Sequence, residues 1–422
     1  MFPLVATSQG DNRYNDRQPN DQTRAFRPQQ VRFYRHYLND LLNIDRARLR
    51  ADDKLSYDIF QYEMRSRLEG LRLNTWMMPF AQFYSLPTTL SQLGAGTGAQ
   101  PFRTVRDYNN WLARVGRFPV WADSAIGNFR QGARTGVVLP QVLVLKMVPQ
   151  LQAQITVNAT KSLFYKPITR LPDNFSDADC ARLTPSLPRL FGLAPKSPFE
   201  IRQTEAFRAA TASAEYNRGT PDDSRPGIFY VPILDATKFN VTSGMKSLFL
   251  HEAIPGHHYQ LSLQQENTGL PKFRRFASYP AFSEGWALYC ESLGKELGLY
   301  TDPYQRIGAL GDEMHRALRL VVDVGLHLKG MSREQAIDYM MANEPISEQA
   351  ATAEIERYMA LPGQALAYKT GQLKIQELRT RYETQLGKNF SLKDFHDEIL
   401  AGGSMPLAVL ERRMDAWAVR QR

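Results

Sequence analysis

The sequence predicts a mainly α-helical protein (α+β) with a small β-sheet placed just ahead of a histidine-rich helix. Three observations carry this. Apolar residues recur at helical spacing over most of the 422 residues. The clearest strand-like runs lie together between residues 198 and 234. Hydrophobic residues make up 43% of the chain and aromatic residues 11%, enough for a packed core in one large domain or two intimate ones.

The elements follow in order. The first 30 residues are polar and read as a lead-in. In "VRFYRHYLNDLLNIDRARLR" the apolar positions Phe33, Tyr34, Tyr37, Leu38, Leu41 and Leu42 fall on one helical face, and "KLSYDIFQYEMRSRLEGLRL" continues the pattern. Residues 80–105, punctuated by Pro and Gly, read as a loop. Helical spacing resumes in "VRDYNNWLARV" and "WADSAIGNFRQGARTG". Residues 166–200 carry Pro167, Pro172, Pro185, Pro188, Pro195 and Pro198 and read as a linker. Next, "PFEIRQTEAF" alternates, and "RPGIFYVPIL" is a β-branched and aromatic run. Pro232 inside the second run predicts an edge strand, because proline cannot donate to a ladder. Helices are then expected over 243–265, 281–297, 303–329, 332–342, 346–359, 363–385, 391–400 and 404–420. This divides the chain into an N-terminal helical region, 1–184, and a region carrying the sheet and the remaining helices, 185–422.

Composition narrows the function. Lys and Arg number 52 against 43 Asp and Glu, a net charge of +9. The basic residues are dispersed, so no nucleic-acid partner is expected. No apolar run approaches the roughly 18 residues that span a bilayer. The N-terminus shows no basic and apolar leader pattern, so the expected location is cytoplasmic, or periplasmic or secreted if a signal peptide has been removed. Two cysteines, Cys180 and Cys290, exclude a disulfide framework.

The stretch "HEAIPGHHYQ" (251–260) begins with His251-Glu252, the opening of the HExxH zinc motif. That motif needs a second histidine four residues on, where this chain has Pro255. On a straight helix His258 returns to the face of His251, but about 10 Å along the axis. Two ligands each about 2.0–2.1 Å from one zinc cannot bridge that gap. Proline removes an intrahelical donor and glycine takes up unusual backbone angles. If Pro255 and Gly256 bulge outward, His257 moves into the second ligand position and His258 becomes a pocket residue. Otherwise 251–258 is a helix C-terminus with Pro-Gly as its stop. A third ligand is expected from "PAFSEGWALYCESLGKEL", where Glu284 and Glu291 share a face. Glu284 is favoured; Glu291 is the alternative, or an acceptor for a ligand histidine.

If the motif holds a metal that activates water, a donor for the developing oxyanion is needed as well. The candidates are Tyr358, Tyr368 and Lys369 in "YMALPGQALAYKTGQ", with Tyr368 preferred. Arg319, Asp323 and His327 lie four apart on one helix face. They form either a network behind the site or an i, i+4 salt bridge beside a half-buried histidine. His315 and His396 have no partner pattern and are expected at the surface.

With these residues in view, "RPGIFYV", "LHEAIPGHHYQ" and "FSEGWALYCESL" together resemble the bacterial family named domain of unknown function 885. "VVDVGLHLKGMSREQAIDYM", "RYMALPGQALAYKTGQLKIQELR", "FHDEILAGGSMPLAVLERRM" and "ATSQGDNRYND" extend the resemblance over nearly the whole chain. Members of that family look like zinc metallopeptidases of the gluzincin type. A more distant similarity to thimet-type oligopeptidases aligns Gly256-His257 with their Gly-His. The resemblance implies a large helical zincin-like fold, one Zn²⁺ held by His251, His257 and Glu284, Glu252 as general base, and a peptide substrate. The strand "GIFYVPIL" is expected to pair with that peptide. The chain departs from the family in having Pro232 where Asn is common. It also lacks a long helical segment, with the junction near Thr184–Pro185. The alternative expectation is therefore a non-catalytic relic or peptide-binding protein on the same scaffold.

Overall fold

Local capping and breaking signals set the boundaries of the helices. The computed structural model describes residues 2–96, 98–102, 104–155, 187–204, 214–221, 225–233 and 244–421. The chain divides into two compact units, Met1–Asp173 and Asn174–Arg422. The Thr184–Pro185 junction, Cys180 and most of the proline-rich stretch lie outside the described residues.

The described part of the first unit is helical: α1 (Pro3–Ser8), α2 (Phe26–Leu42), α3 (Ala51–Gly70), α4 (Leu86–Gly94), α5 (Val105–Val115), α6 (Phe118–Thr135) and α7 (Gln141–Gln152). The stretch expected as a loop over 80–105 thus holds a helix. Ser85 caps it by accepting from the Thr88 amide, and Pro87 sits in its first turn, where a missing N–H costs nothing. Thr104 and Asp107 form a reciprocal capping box on α5.

The polar N-terminus is not a free lead-in. Arg114 on α5 is fully buried, and the N-terminal segment supplies most of its acceptors. Nε donates to the Arg17 carbonyl at 3.1 Å, Nη1 to Gln100 Oε1 at 2.7 Å, and Nη2 to Thr7 Oγ1 at 2.8 Å and the Tyr14 carbonyl at 2.7 Å. A buried guanidinium needs such partners to offset desolvation.

The second unit opens with the short helix α8 (Leu187–Leu190) and three strands, β1 (Phe199–Gln203), β2 (Glu215–Asn217) and β3 (Gly227–Val231). The sheet order is β1-β3-β2. β1 runs parallel to β3 with Phe199 opposite Gly227; β2 runs antiparallel with Glu215 opposite Tyr230. The run "GIFYV" is therefore the central strand, with all five residues buried, and not the edge strand that Pro232 suggested. The ladder stops at Val231, so the missing N–H of Pro232 falls beyond it.

Ten helices complete the described part of this unit: α9 (Met245–Glu252), α10 (His257–Glu266), α11 (Lys272–Arg275), α12 (Pro280–Ser292), α13 (Pro303–Leu328), α14 (Arg333–Asn343), α15 (Glu348–Ala360), α16 (Ala367–Leu386), α17 (Leu392–Ala401) and α18 (Leu407–Arg420). The protein is thus mainly α with a three-stranded sheet ahead of the histidine-bearing helices. Phe282, Trp286, Tyr289, Ile375, Phe395 and Met414 are among its buried core residues. α12 and α16 cross backbone to backbone. A Cβ on Gly285 would strike Gly371 Cα, and one on Gly371 would strike the Ala281 carbonyl oxygen. Among the described residues no helix is long and apolar enough to cross a membrane.

Candidate metal centre

The helix carrying His251 stops at Glu252. Ala253 leaves the helical region at φ −104°, ψ −100°, and a new helix starts at His257. The Ile254–Pro255 peptide between them is cis. The Pro255 carbonyl is pinned by Trp286 Nε1 at 2.9 Å. Gly256 is required by space: a Cβ there would collide with the carbonyl oxygens of Leu250 and His251. The chain doubles back against the helix end it has just left, and His257 becomes the first residue of α10.

This break brings His257 to His251. Their rings are 4.8 Å apart and perpendicular, at 89°. Both Nε2 atoms face one oxygen of Glu284 on α12, His257 at 3.2 Å and His251 at 3.5 Å. One donor atom from each of the three residues lies within 4.8 Å of the others. A tetrahedral zinc with bonds of about 2.0–2.1 Å sets its ligands roughly 3.3 Å apart, close to both N···O separations. On the other side of the His251 ring, Nδ1 lies 2.7 Å from Glu291 Oε1. That carboxylate accepts, so Nδ1 carries a proton and Nε2 is the nitrogen turned to the centre. Glu291 is placed as the acceptor that orients His251, outside the group formed by His251, His257 and Glu284.

The electrostatics match. Burial disfavours a charged His251, but hydrogen bonds to Glu284 and Glu291 outweigh it and raise its pKa to about 10. Burial would raise Glu284; the two histidines overcome it and hold the carboxyl well below the usual range. The opposite charges of the three donors face one another. Glu252 differs. Burial is the largest influence and raises its pKa, with Glu284 and Glu215 adding to the effect. Its Oε2 is buried and, among the described residues, has no hydrogen-bond partner. Two imidazole nitrogens and one carboxylate, with a second carboxylate alongside, fit a zinc ion and an adjacent proton acceptor.

Tyr368 on α16 lies against this centre. Its ring stacks on His251 at 6.2 Å and 20°, and its hydroxyl accepts from Gln364 Nε2 at 3.1 Å. Burial and then the charge of Glu284 raise its pKa. The Gly285–Gly371 crossing makes this approach possible.

The other candidates are placed elsewhere. His258 turns toward the sheet, with Nδ1 2.9 Å from the Tyr216 hydroxyl and its ring 4.6 Å from that of Phe199. Burial lowers its pKa to about 4, so it packs as a neutral ring. The Tyr358 hydroxyl is committed, donating to Glu354 at 2.5 Å and accepting from Arg319 Nε at 2.8 Å. Lys369 pairs with Glu313 at 2.5 Å. Asp323 accepts from the Gly363 amide, and His327 Nε2 meets the Tyr358 carbonyl at 3.0 Å. Arg319, Asp323 and His327 therefore brace α15 and the turn after it, rather than pairing with one another.

The two histidines expected at the surface are not there. His396 is fully buried, bonded to the Leu190 carbonyl and the Tyr289 hydroxyl, both at 2.8 Å. His315 is half-buried between Glu344 at 2.9 Å and Glu354 at 3.5 Å. Glu215, Tyr216 and Glu354 were not singled out from the sequence. Tyr216 and Glu215 sit on a three-residue strand that shows no alternation to find.

The family model for "Bacterial protein of unknown function (DUF885)" matches residues 3–179 and 174–414. The chain belongs to this family. Two solved structures share the fold of this DUF885 chain. One is described as "the putative lipoprotein from Colwellia psychrerythraea", 22% identical, with a TM-score of 0.86 over 99% of this chain and 97% of that one. The other is "a putative lipoprotein of unknown function from Shewanella oneidensis", 17% identical, with a TM-score of 0.63 over 98% and 96%. No curated protein matches the chain.

Proposed function

We propose that this chain is a zinc-dependent metallopeptidase that hydrolyses peptide bonds of oligopeptides. One observation carries the reading: His251, His257 and Glu284 converge on a common point beside the buried, unpartnered Oε2 of Glu252. Bound by these three residues, Zn²⁺ would supply a Lewis acid and make a water nucleophilic near neutral pH. Glu252 Oε2 takes the proton of the attacking water and returns it to the leaving amine. Burial raises its pKa, which lets it hold that proton between the two steps. The Tyr368 hydroxyl donates to the developing oxyanion while Gln364 holds it in place.

The peptide does not add to "GIFYV", which is paired on both sides. β2 is the better edge for an extended substrate. Among the described residues it pairs only with β3, and its Glu215 is close enough to influence Glu252. The two solved neighbours are described as lipoproteins, which supports a location outside the cytoplasm as part of the same proposal.

The test is metal analysis with one substitution. The purified protein should carry zinc and cleave oligopeptides, and a chelator should abolish cleavage. Glu252→Gln should keep the zinc and lose roughly 10²–10⁴-fold in rate. Peptide binding to the zinc-loaded protein with no turnover supports the non-catalytic alternative instead. A chain that takes up no zinc removes both the metal and the mechanism.

A further inference from the structure

Beside Tyr368, the buried guanidinium of Arg319 and the half-buried one of Arg357 share one carboxylate. Glu354 Oε2 accepts from Arg319 Nη2 at 3.0 Å and from Arg357 Nη2 at 2.8 Å. Arg357 spends its remaining donors on Glu354 Oε1 and Gln364. Arg319 does not. Nε goes to the Tyr358 hydroxyl, and Nη2 to Glu354 and to His315 Nε2. Among the described residues its Nη1 meets no hydrogen-bond acceptor, and the residue is 6% exposed. Glu344 stands behind the His315 imidazole and reaches neither arginine. The arginine pair therefore holds one more positive charge than the carboxylate facing it.

This guanidinium lies next to the metal centre. The Arg319 guanidinium carbon is 4.7 Å from the centre of the Tyr368 ring, which is 6.2 Å from that of His251. The cation is no further from the His251 ring than those two steps together. An extended peptide advances about 3.3 Å per residue, so that span covers one to three residues beyond a bond held at the centre. A buried arginine with a donor left over suits a carboxylate better than any neutral group.

We infer that Arg319 receives the C-terminal carboxylate of the substrate, so that the enzyme shortens peptides from their C-terminal end. This rests on the peptidase reading above and adds its substrate class. Arg319 is on this view a specificity-determining residue. Tyr358 and Glu354 hold its fork, leaving Nη1 to the ligand.

The experiment compares a six-residue peptide with a free C-terminus, its C-terminal amide, and N-acetylated versions of both. The wild type should prefer the acid to the amide by about 10- to 150-fold in kcat/KM, mostly through KM, with acetylation neutral. Arg319→Met should bring the acid down to the level of the amide, so that the preference between the two disappears. Tyr358→Phe, which removes a brace but keeps the cation, should retain the preference. Equal cleavage of acid and amide, a preference set by acetylation, or an equal loss on both substrates in Arg319→Met would overturn the assignment while leaving the peptidase intact. Should Arg319→Met fail to fold, calorimetric binding of acid and amide to the Glu252→Gln protein gives the same comparison without turnover. Equal affinity there also overturns it. Failure of the peptidase reading shows itself differently, as no zinc and no cleavage of any of the four peptides.

Discussion

Gly256→Ala tests the geometry on which the centre depends. The added Cβ would meet the carbonyl oxygens of Leu250 and His251, and these belong to the main chain of α9, with no flexible side chain to swing aside. Relief requires the start of α10 to part from the end of α9 by about an ångström, the scale of an ordinary van der Waals gap. Overpacking of this kind costs about 1–3 kcal/mol, and rigid obstacles place it in the upper part of that range. For a unit of this size, 2–3 kcal/mol lowers Tm by roughly 4–12 °C. The same movement carries His257 away from His251 and Glu284. Metal sites tolerate about 0.2 Å of error in their bonds, so zinc affinity should fall by at least about tenfold. Calorimetric melting and zinc competition with a chromophoric chelator read the two effects. Gly127→Ala is the control. That glycine lies inside α6 with open space around a Cβ, and alanine there should stabilise by roughly 0.5–1 kcal/mol. If Gly256→Ala melts and binds zinc like the wild type, the claim that this glycine shapes the centre is wrong.

Two further outcomes follow from the same interior. Glu291→Gln removes the charged acceptor on His251 Nδ1, and zinc affinity measured by competition should weaken about 10- to 100-fold with little change in the fold. His396 is held neutral by burial, with its pKa lowered to about 3. In the unfolded chain it binds a proton below its ordinary pKa of about 6.5, so the stability from keeping it neutral is complete above that pH. It is lost as pH falls from about 6.5 toward 3. Relative to His396→Gln, urea melts of the wild type should lose about 1.4 kcal/mol per pH unit across that window. A constant difference from pH 7 to pH 4 would show that the histidine is not buried neutral.

The helical scaffold and the core of the centre were legible because their signals are local. His251, Glu252, Pro255, Gly256 and His257 lie within seven residues, and the impossibility of two ligands on a straight helix already demands a break. Glu284 stands in the first turns of the next strongly apolar helix. Pairings across long separations were not legible. Nothing in "GIFYVP" says whether that strand has one neighbour or two, and Pro232 misled because the ladder ends one residue before it. His396 finds its partners at Tyr289 and Leu190, 107 and 206 residues away, so its neighbourhood looked empty. Arg114 sits on an amphipathic helix where an arginine ordinarily faces water, and the Thr7, Tyr14 and Arg17 groups that enclose it come from a segment with no apolar pattern. Buried polar networks obey hydrogen-bond accounting, which needs coordinates, rather than periodicity, which needs only sequence.

At the crossing of α12 and α16, Gly285 and Gly371 leave no side-chain volume between two backbones. Glu284 precedes one glycine by a single residue, and Tyr368 precedes the other by three. The main chain alone therefore gauges the distance between a carboxylate donor of the centre and the tyrosine facing it. Surrounding side chains are free to vary in size without altering that distance, whereas any residue larger than glycine at either position drives the two apart together with everything they carry. Any change in the space beside the tyrosine has to come from the residues around it, because the gap itself has no adjustable part.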